Sequence, residues 1–213
     1  MPGPSVVVIG GSAGGLNALR GIFQTLEGVR ETVLCVVLHR PVVLDRPPDY
    51  SPLAEVLQSY TALPVHEPSS SRWNCLPGAV TVAPAGYHLL VGNSRSLSPE
   101  PSTPVAQYET TAGVRSHLTL DAPVAYSRPS LDLTFFSATE LVNPVIAVLL
   151  SCANEDGAAG CEAVKAAGGR VVLQDPATCD AAAAVRAAMR RLDPDHVADP
   201  PGIGRWLSQA LVS

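Results

Sequence analysis

Short apolar runs of strand length alternate with amphipathic segments along most of the chain. Continuous rather than alternating hydrophobicity is typical of strands that are buried on both faces, as in a parallel sheet. Strands are predicted at residues 6–9, 33–38, 145–150 and 170–174. Apolar positions at helical spacing predict helices over residues 16–26, 53–57, 131–142, 163–167, 181–191 and 203–212.

The middle of the chain departs from this βα alternation. Residues 79–83 and 88–91 flank the sequence Pro84-Ala85-Gly86, which predicts a β-hairpin. The polar stretch 93–123 holds one weak strand near residues 114–120, and the proline-rich stretch 41–52 is a predicted loop. We therefore expect an α/β fold with a doubly wound, mainly parallel sheet, helices on both faces and an antiparallel β-hairpin insertion, formed by residues 1–213 as a single domain.

Composition and charge narrow the function classes. The 213 residues are 46% hydrophobic and 15% charged, with a formal net charge of −5. A chain of this kind builds a large core, and it lacks the basic surface that nucleic-acid binding needs. The absence of a long apolar run argues against membrane insertion, and no basic region precedes the first apolar run, so a cytoplasmic location is expected. Five scattered cysteines predict neither a disulfide framework nor a metal site.

Three polar residues follow three of the predicted strands. Ser12, His39 and Asp156 come just after residues 9, 38 and 150, where parallel sheets gather their chemistry. A serine on a glycine-rich strand-to-helix turn suits a nucleophile, with a histidine as its base and an aspartate to orient the imidazole. Taken singly, each also fits a structural role: a helix cap for Ser12, a strand cap for His39 and a turn residue for Asp156.

Other glycine-rich turns fit less well. Ser12 stands where a dinucleotide-binding fingerprint requires its second glycine, and no Gly-Lys-Ser/Thr sequence follows for a phosphate-binding loop. The Ser, His, Asp order along the chain also differs from that of the α/β-hydrolases. No organic cofactor is expected.

Five segments together resemble the catalytic domain of the chemotaxis protein-glutamate methylesterases, the CheB family, over nearly the whole chain. They are the nucleophile turn at residues 7–15, the histidine segment 38–41, an Ala-Pro-x-Gly-x-His stretch at 83–89, the Arg-Pro-Ser-x-Asp stretch at 128–135 and the aspartate segment 154–160. The resemblance implies hydrolysis of glutamate γ-methyl esters on chemoreceptor helices, with release of methanol, and in some members deamidation of receptor glutamines. It implies no metal and no cofactor.

Residue roles follow from the same resemblance. Ser12 is the implied nucleophile, His39 the general base and then acid, and Asp156 the group that orients the imidazole. The substrate-binding and oxyanion positions are Ala13, Gly14, Arg128 and Ala153. Arg128 equally suits an ion pair with Asp132, whereas His88 is expected to be a packing or surface residue rather than a catalytic one. Family enzymes usually carry a receiver domain before this one, so a receiver protein acting in trans is the regulator expected for a chain that starts at the first strand.

Departures from the family pattern leave other functions open. Four places in the chain differ from the family pattern. Ala13 replaces a threonine, Ala153 a methionine and Cys152 a glycine, and residues 183–185 replace a Gly-Met-Pro sequence. These changes fit a catalytically weakened, receptor-binding or scaffold homologue. A hydrolase for another ester or amide is the third possibility, because substrate choice lies in loops such as 41–52 and 93–123.

Overall fold

The computed structural model describes residues 5–40, 52–93 and 113–212. Ten strands and six α-helices form in these ranges. In chain order they are β1 Ser5–Gly11, α1 Gly15–Phe23, β2 Thr32–Leu38, α2 Pro52–Gln58, β3 Val65–His66, β4 Arg72–Cys75, β5 Ala79–Val82, β6 His88–Asn93, β7 Val114–Thr119, α3 Leu131–Ala138, β8 Val145–Leu149, α4 Ala158–Ala166, β9 Arg170–Gln174, α5 Ala183–Arg191, β10 His196–Ala198 and α6 Pro200–Val212. Most of the predicted loop 41–52 and of the polar stretch 93–123 lies outside the described residues.

Seven strands form one parallel sheet in the order β10-β9-β8-β1-β2-β5-β3. Successive residues of β1 face opposite cores: Val6 and Val8 pack with α3, α4 and α5, while Val7 and Ile9 pack with α1, α2 and α6. Both faces of the sheet are therefore covered by helices. The predicted fold class, a doubly wound and mainly parallel α/β sheet, is confirmed.

The predicted β-hairpin is wrong, although an antiparallel unit exists. β5 pairs in parallel with β2 inside the main sheet, whereas β6 pairs with β7 in a separate sheet of order β4-β7-β6. The burial of the two strands explains the difference. All four residues of β5 are buried, as a central position in the main sheet requires, while β6 has partly exposed positions and lies in the smaller sheet.

Several helix limits also differ from those predicted. α3 ends at Ala138 rather than near residue 142, and α4 begins at Ala158, so Gly160 lies inside the helix and not in the preceding turn. A Cβ on Gly160 would lie 2.5 Å from the Cβ of Phe135, which shows how closely α3 and α4 approach each other. This close approach fixes the N-termini of the two helices beside the ends of β1 and β8.

Candidate active site

The carboxyl ends of β1 and β2 place Ser12 and His39 side by side. Gly11 and Leu38 are register partners, and the amide of His39 donates to the Gly11 carbonyl at 3.1 Å. On the other side of β1, the amide of Ser12 donates to the Ser151 carbonyl at 2.8 Å. The ends of three neighbouring strands thus meet around Ser12, where the sequence predicted a site.

Asp156 is the most completely hydrogen-bonded group of this site. Its Oδ2 accepts from His39 Nε2 at 2.8 Å and from the Leu131 amide at 2.8 Å. Its Oδ1 accepts from Ser130 Oγ at 3.0 Å and from the Asp132 amide at 2.9 Å. The donors other than His39 belong to the start of α3, whose N-terminus favours a negative charge. A buried carboxylate is therefore well stabilised there.

The pKa values of Asp156 and His39 are shifted in opposite directions. Burial alone would raise the pKa of Asp156, but the hydrogen bonds from His39 and from the Asp132 and Leu131 amides outweigh it and bring the pKa below its usual range. Burial alone would lower the pKa of His39; the bond to Asp156 and the neighbouring Cys152 outweigh it and raise that pKa to about 9. The substrate-free site therefore holds a carboxylate beside an imidazolium at neutral pH.

The other imidazole nitrogen faces a residue that the sequence analysis did not single out. Ser127 Oγ lies 3.2 Å from His39 Nδ1, and Cys152 Sγ lies 3.9 Å from the same nitrogen. Within the described residues, the hydroxyl of Ser12 has no hydrogen-bond partner. His39 and Asp156 are thus brought into direct contact, while Ser12 follows the neighbouring strand end and is not bonded to His39 among the described residues.

Ala13 and Gly14 form the turn between β1 and α1. Gly14 has φ of 77°, a left-handed conformation, and an added Cβ would lie 2.6 Å from Asp180 Oδ2, so the position requires glycine. Within the described part of the chain, the amides of Ala13 and Gly14 donate to no protein acceptor. Two N–H groups are therefore free at the start of a helix, next to Ser12.

Arg128 does not pair with Asp132. Its Nη1 donates to the carbonyls of Leu120 and Asp121 at 3.0 and 3.1 Å. Asp132 instead accepts from the amides of Gly157 and Gly160 through its Oδ1, at 2.9 and 2.7 Å, and so caps the start of α4. The ion-pair alternative is wrong because α4 already uses this carboxylate.

Arg128 lines a cavity of about 410 Å³ that opens onto the imidazole. The cavity is lined by His39, Arg40, Gly86, Pro123, Tyr126, Ser127 and Arg128. Arg40 is paired with Glu67 at 2.6 Å and also donates to the Ala83 carbonyl. Ala153, predicted to line the substrate site, is exposed; it lies between the buried Cys152 and the half-buried Asn154.

His88 has the structural role that the sequence predicted. It is fully buried, its Nδ1 accepts from the Ser130 amide at 3.1 Å, and its Nε2 lies 3.2 Å from the Ala122 carbonyl. His88 thus joins the start of α3, which holds Asp156, to the segment that carries Ser127.

Neither a cluster of metal ligands nor a membrane-spanning helix is present among the described residues. No three His, Cys, Asp or Glu side chains converge there as a metal site would require. No helix in that part of the chain combines the length and the apolar character needed to cross a membrane.

The sequence is similar to known proteins over most of its length. The family model for CheB methylesterase matches residues 7–207. A Leptospira interrogans protein, named as a candidate protein-glutamate methylesterase/protein-glutamine glutaminase, is 30% identical over 192 residues, which is 90% of this chain and 86% of that protein. The protein-glutamate methylesterase/protein-glutamine glutaminase of Bordetella parapertussis is 34% identical over 176 residues; the match covers 82% of this chain but 44% of that protein.

The fold agrees with these sequence matches. The crystal structure of the Thermotoga maritima CheB methylesterase catalytic domain superimposes with a TM-score of 0.80 at 27% identity, covering 99% of this chain and all of that one. The match spans both sheets and the strand ends that hold Ser12, His39 and Asp156. The chain belongs to the CheB methylesterase family, a family of ester hydrolases.

Proposed function

We propose that this protein is a protein-glutamate methylesterase that acts in the cytoplasm on methyl-accepting chemoreceptors. It hydrolyses the γ-methyl esters of receptor glutamates and releases methanol; on receptor glutamines the same steps would release ammonia. The observation that carries the proposal is the His39–Asp156 pair, 2.8 Å apart, beside a serine that precedes the free amides of Ala13 and Gly14. These are the parts that acyl transfer from an ester requires.

The first half of the reaction forms an ester between the substrate and Ser12. His39 must be neutral, and Ser127 must give up Nδ1 to the Ser12 hydroxyl, because Nε2 remains bonded to Asp156. Ser12 Oγ attacks the ester carbonyl carbon as its proton passes to Nδ1. The negative charge that develops on the carbonyl oxygen is stabilised by the free amides of Ala13 and Gly14.

The second half returns the enzyme to its starting state. The Nδ1 proton passes to the leaving methoxide, and methanol departs from the acyl-enzyme. A water molecule then gives a proton to Nδ1 and attacks the acyl carbon, and His39 returns that proton to Ser12 as the free glutamate side chain leaves. The Asp156 carboxylate stabilises the imidazolium in each half, and the steps use only side chains, backbone amides and water.

The proposal is tested by methanol release from methylated receptor fragments, comparing the wild type with Ser12→Ala and Ser127→Ala. We expect Ser12→Ala to lower the rate by several orders of magnitude, because the nucleophile is lost. Ser127→Ala should retain at least the wild-type rate, because it removes a hydrogen bond that must break before Ser12 reacts. If Ser127→Ala lost methanol release while Ser12→Ala kept it, the nucleophile would be Ser127 instead.

One observation favours a second candidate, a catalytically weakened receptor-binding homologue. In the described residues the Ser12 hydroxyl is not bonded to His39, and Ser127 occupies the nitrogen that Ser12 needs. Such a protein would bind receptor fragments without releasing methanol. Equal methanol release by the wild type and Ser12→Ala, together with measurable binding, would support this candidate. For an active enzyme, we propose a receiver protein acting in trans as the regulator.

A further inference from the structure

One segment of the site has an unusual backbone and an exposed aromatic ring at its tip. Residues 120–128, here called the rim segment, run from Leu120 past the imidazole to Arg128. Its tip is a two-residue turn in which Val124 and Ser127 exchange both backbone hydrogen bonds, at 3.1 and 2.8 Å. Ala125 and Tyr126 in that turn have φ of 48° and 64°. This backbone conformation favours glycine or asparagine, so the two side chains are kept at some cost to the fold.

The Tyr126 side chain does not stabilise the fold by packing. The residue is fully exposed, and it is a lining residue of the cavity beside His39. Leu120, at the start of the segment, is 65% exposed. A large aromatic ring on a strained turn at the mouth of the site, without intramolecular packing, is typical of a residue used in binding.

The rim segment is nevertheless held in place at several points. Asn154 Nδ2 donates to the Ala125 carbonyl at 3.2 Å, and Arg128 Nη1 donates to the carbonyls of Leu120 and Asp121. His88 contacts the Ala122 carbonyl from the buried side. Asn154 and His88 hold the segment from two other parts of the fold, and Arg128 ties its two ends together. The Tyr126 ring is therefore presented on a pre-organised support, which lowers the entropy cost of binding.

The charge in the cavity indicates what kind of ligand fits. Both arginines line it, but Arg40 is neutralised by Glu67, whereas the guanidinium of Arg128 meets only carbonyl oxygens among the described residues. A guanidinium without a carboxylate partner, partly removed from water, favours an anionic group that can accept two hydrogen bonds. A carboxylate side chain meets that requirement.

We propose that the rim segment is the specificity element of this enzyme: Arg128 binds a carboxylate side chain that flanks the reacting ester, and Tyr126 packs on the substrate helix that carries both. This inference rests on the proposed function and names the substrate class, an acidic helical surface of a protein. The cavity lies on the Ser127 side of the imidazole, so a bound flanking residue would also contact the segment whose Ser127 must release Nδ1.

Tyr126→Asn tests the aromatic contact. Asparagine tolerates the left-handed backbone, so the turn is kept while the ring is removed. Val142→Ala is the matched control, because Val142 is 79% exposed but lies before β8, at the opposite end of the sheet. We expect Tyr126→Asn to weaken binding of a methylated receptor fragment about tenfold and to raise KM accordingly. Val142→Ala should change neither of these values.

Arg128→Met tests the charge by a double-mutant cycle. Fluorescence anisotropy compares the affinity of two receptor fragments, one with its native flanking glutamates and one with glutamines in their place. The wild type should bind the first about tenfold more tightly, and Arg128→Met should bind both alike, whatever the substitution does to the segment itself. Equal discrimination by both proteins would overturn the assignment of Arg128, and unchanged binding in Tyr126→Asn would overturn that of Tyr126.

These outcomes are separate from those that test the proposed function. Anisotropy reports binding without turnover, so an enzyme that releases no methanol still tests the specificity element. A wild type that binds no receptor fragment, yet hydrolyses p-nitrophenyl acetate, would overturn the specificity element and leave the ester-hydrolase chemistry standing.

Discussion

Replacing Asp156 by asparagine removes one charge and reverses one hydrogen-bonding group without changing the size of the side chain. Each carboxylate oxygen accepts two hydrogen bonds, and each oxygen faces one backbone amide of α3. Whichever way the new amide turns, its NH₂ group must meet a backbone N–H. One buried donor then lacks an acceptor, so we expect the free energy of unfolding to fall by about 1–3 kcal/mol.

The effect on catalysis is larger than the effect on stability. An NH₂ group facing His39 donates to Nε2 and forces the ring proton onto Nδ1, where the base must be free. If the oxygen faces His39 instead, the negative charge that stabilises the imidazolium is still lost. We expect kcat on a methylated receptor fragment to fall by about 10³–10⁴-fold, measured as methanol release, with denaturant unfolding to show that the variant is folded.

Asp132→Asn is the matched control for this variant. Asp132 lies in the turn of α3 that binds Asp156. Both of the amides that donate to its side chain bond to Oδ1, so an asparagine can keep both bonds. We therefore expect near-native activity and a stability loss below about 1 kcal/mol. The reasoning is refuted if Asp156→Asn retains more than about a tenth of the wild-type rate, or if the two variants lose activity alike.

Three further predictions concern the base and the helix packing. Because the pKa of His39 is raised to about 9 and the base must be neutral, kcat/KM should increase about fiftyfold between pH 7 and pH 9; a pH profile that is already flat at pH 7 would contradict this. The raised pKa also means that His39 stabilises the fold fully below its unfolded value near 6.5 and loses that contribution as the pH rises through 9, which denaturant unfolding at pH 6 and pH 10 would detect as a lower stability at pH 10. Gly160→Ala should destabilise the protein by about 1–3 kcal/mol, because its Cβ would clash with Phe135; an unchanged melting temperature would show that α3 and α4 can separate without cost.

The strand ends were predictable from the sequence because their signal is local. The apolar runs before Ser12, His39 and Asp156 mark buried parallel strands, and the carboxyl ends of such strands meet at one edge. The assignment of β5 and β6 to different sheets was not predictable in this way, because the sequence 84–86 has the composition of a hairpin turn. Only the complete burial of β5 distinguishes the two arrangements.

The partner of Nδ1 could not be inferred from any pattern. Ser127 is 88 residues away from His39 along the chain, and the rim segment brings them together through bonds to Asn154 and His88 that no spacing encodes. Likewise, an aspartate four residues after an arginine suggests an ion pair. That Asp132 caps α4 instead depends on the packing of α3 against α4, which is a tertiary property.

The two imidazole nitrogens of His39 are held with unequal strength. On one side, Nε2 is held at 2.8 Å by a carboxylate whose other bonds all come from a single helix turn. On the other side, the described residues offer Nδ1 a neutral hydroxyl at 3.2 Å and a thiol at 3.9 Å and nothing else. An exchange of Ser127 for Ser12 at Nδ1 therefore breaks only the weaker side of this arrangement, and the bond that orients the ring stays intact.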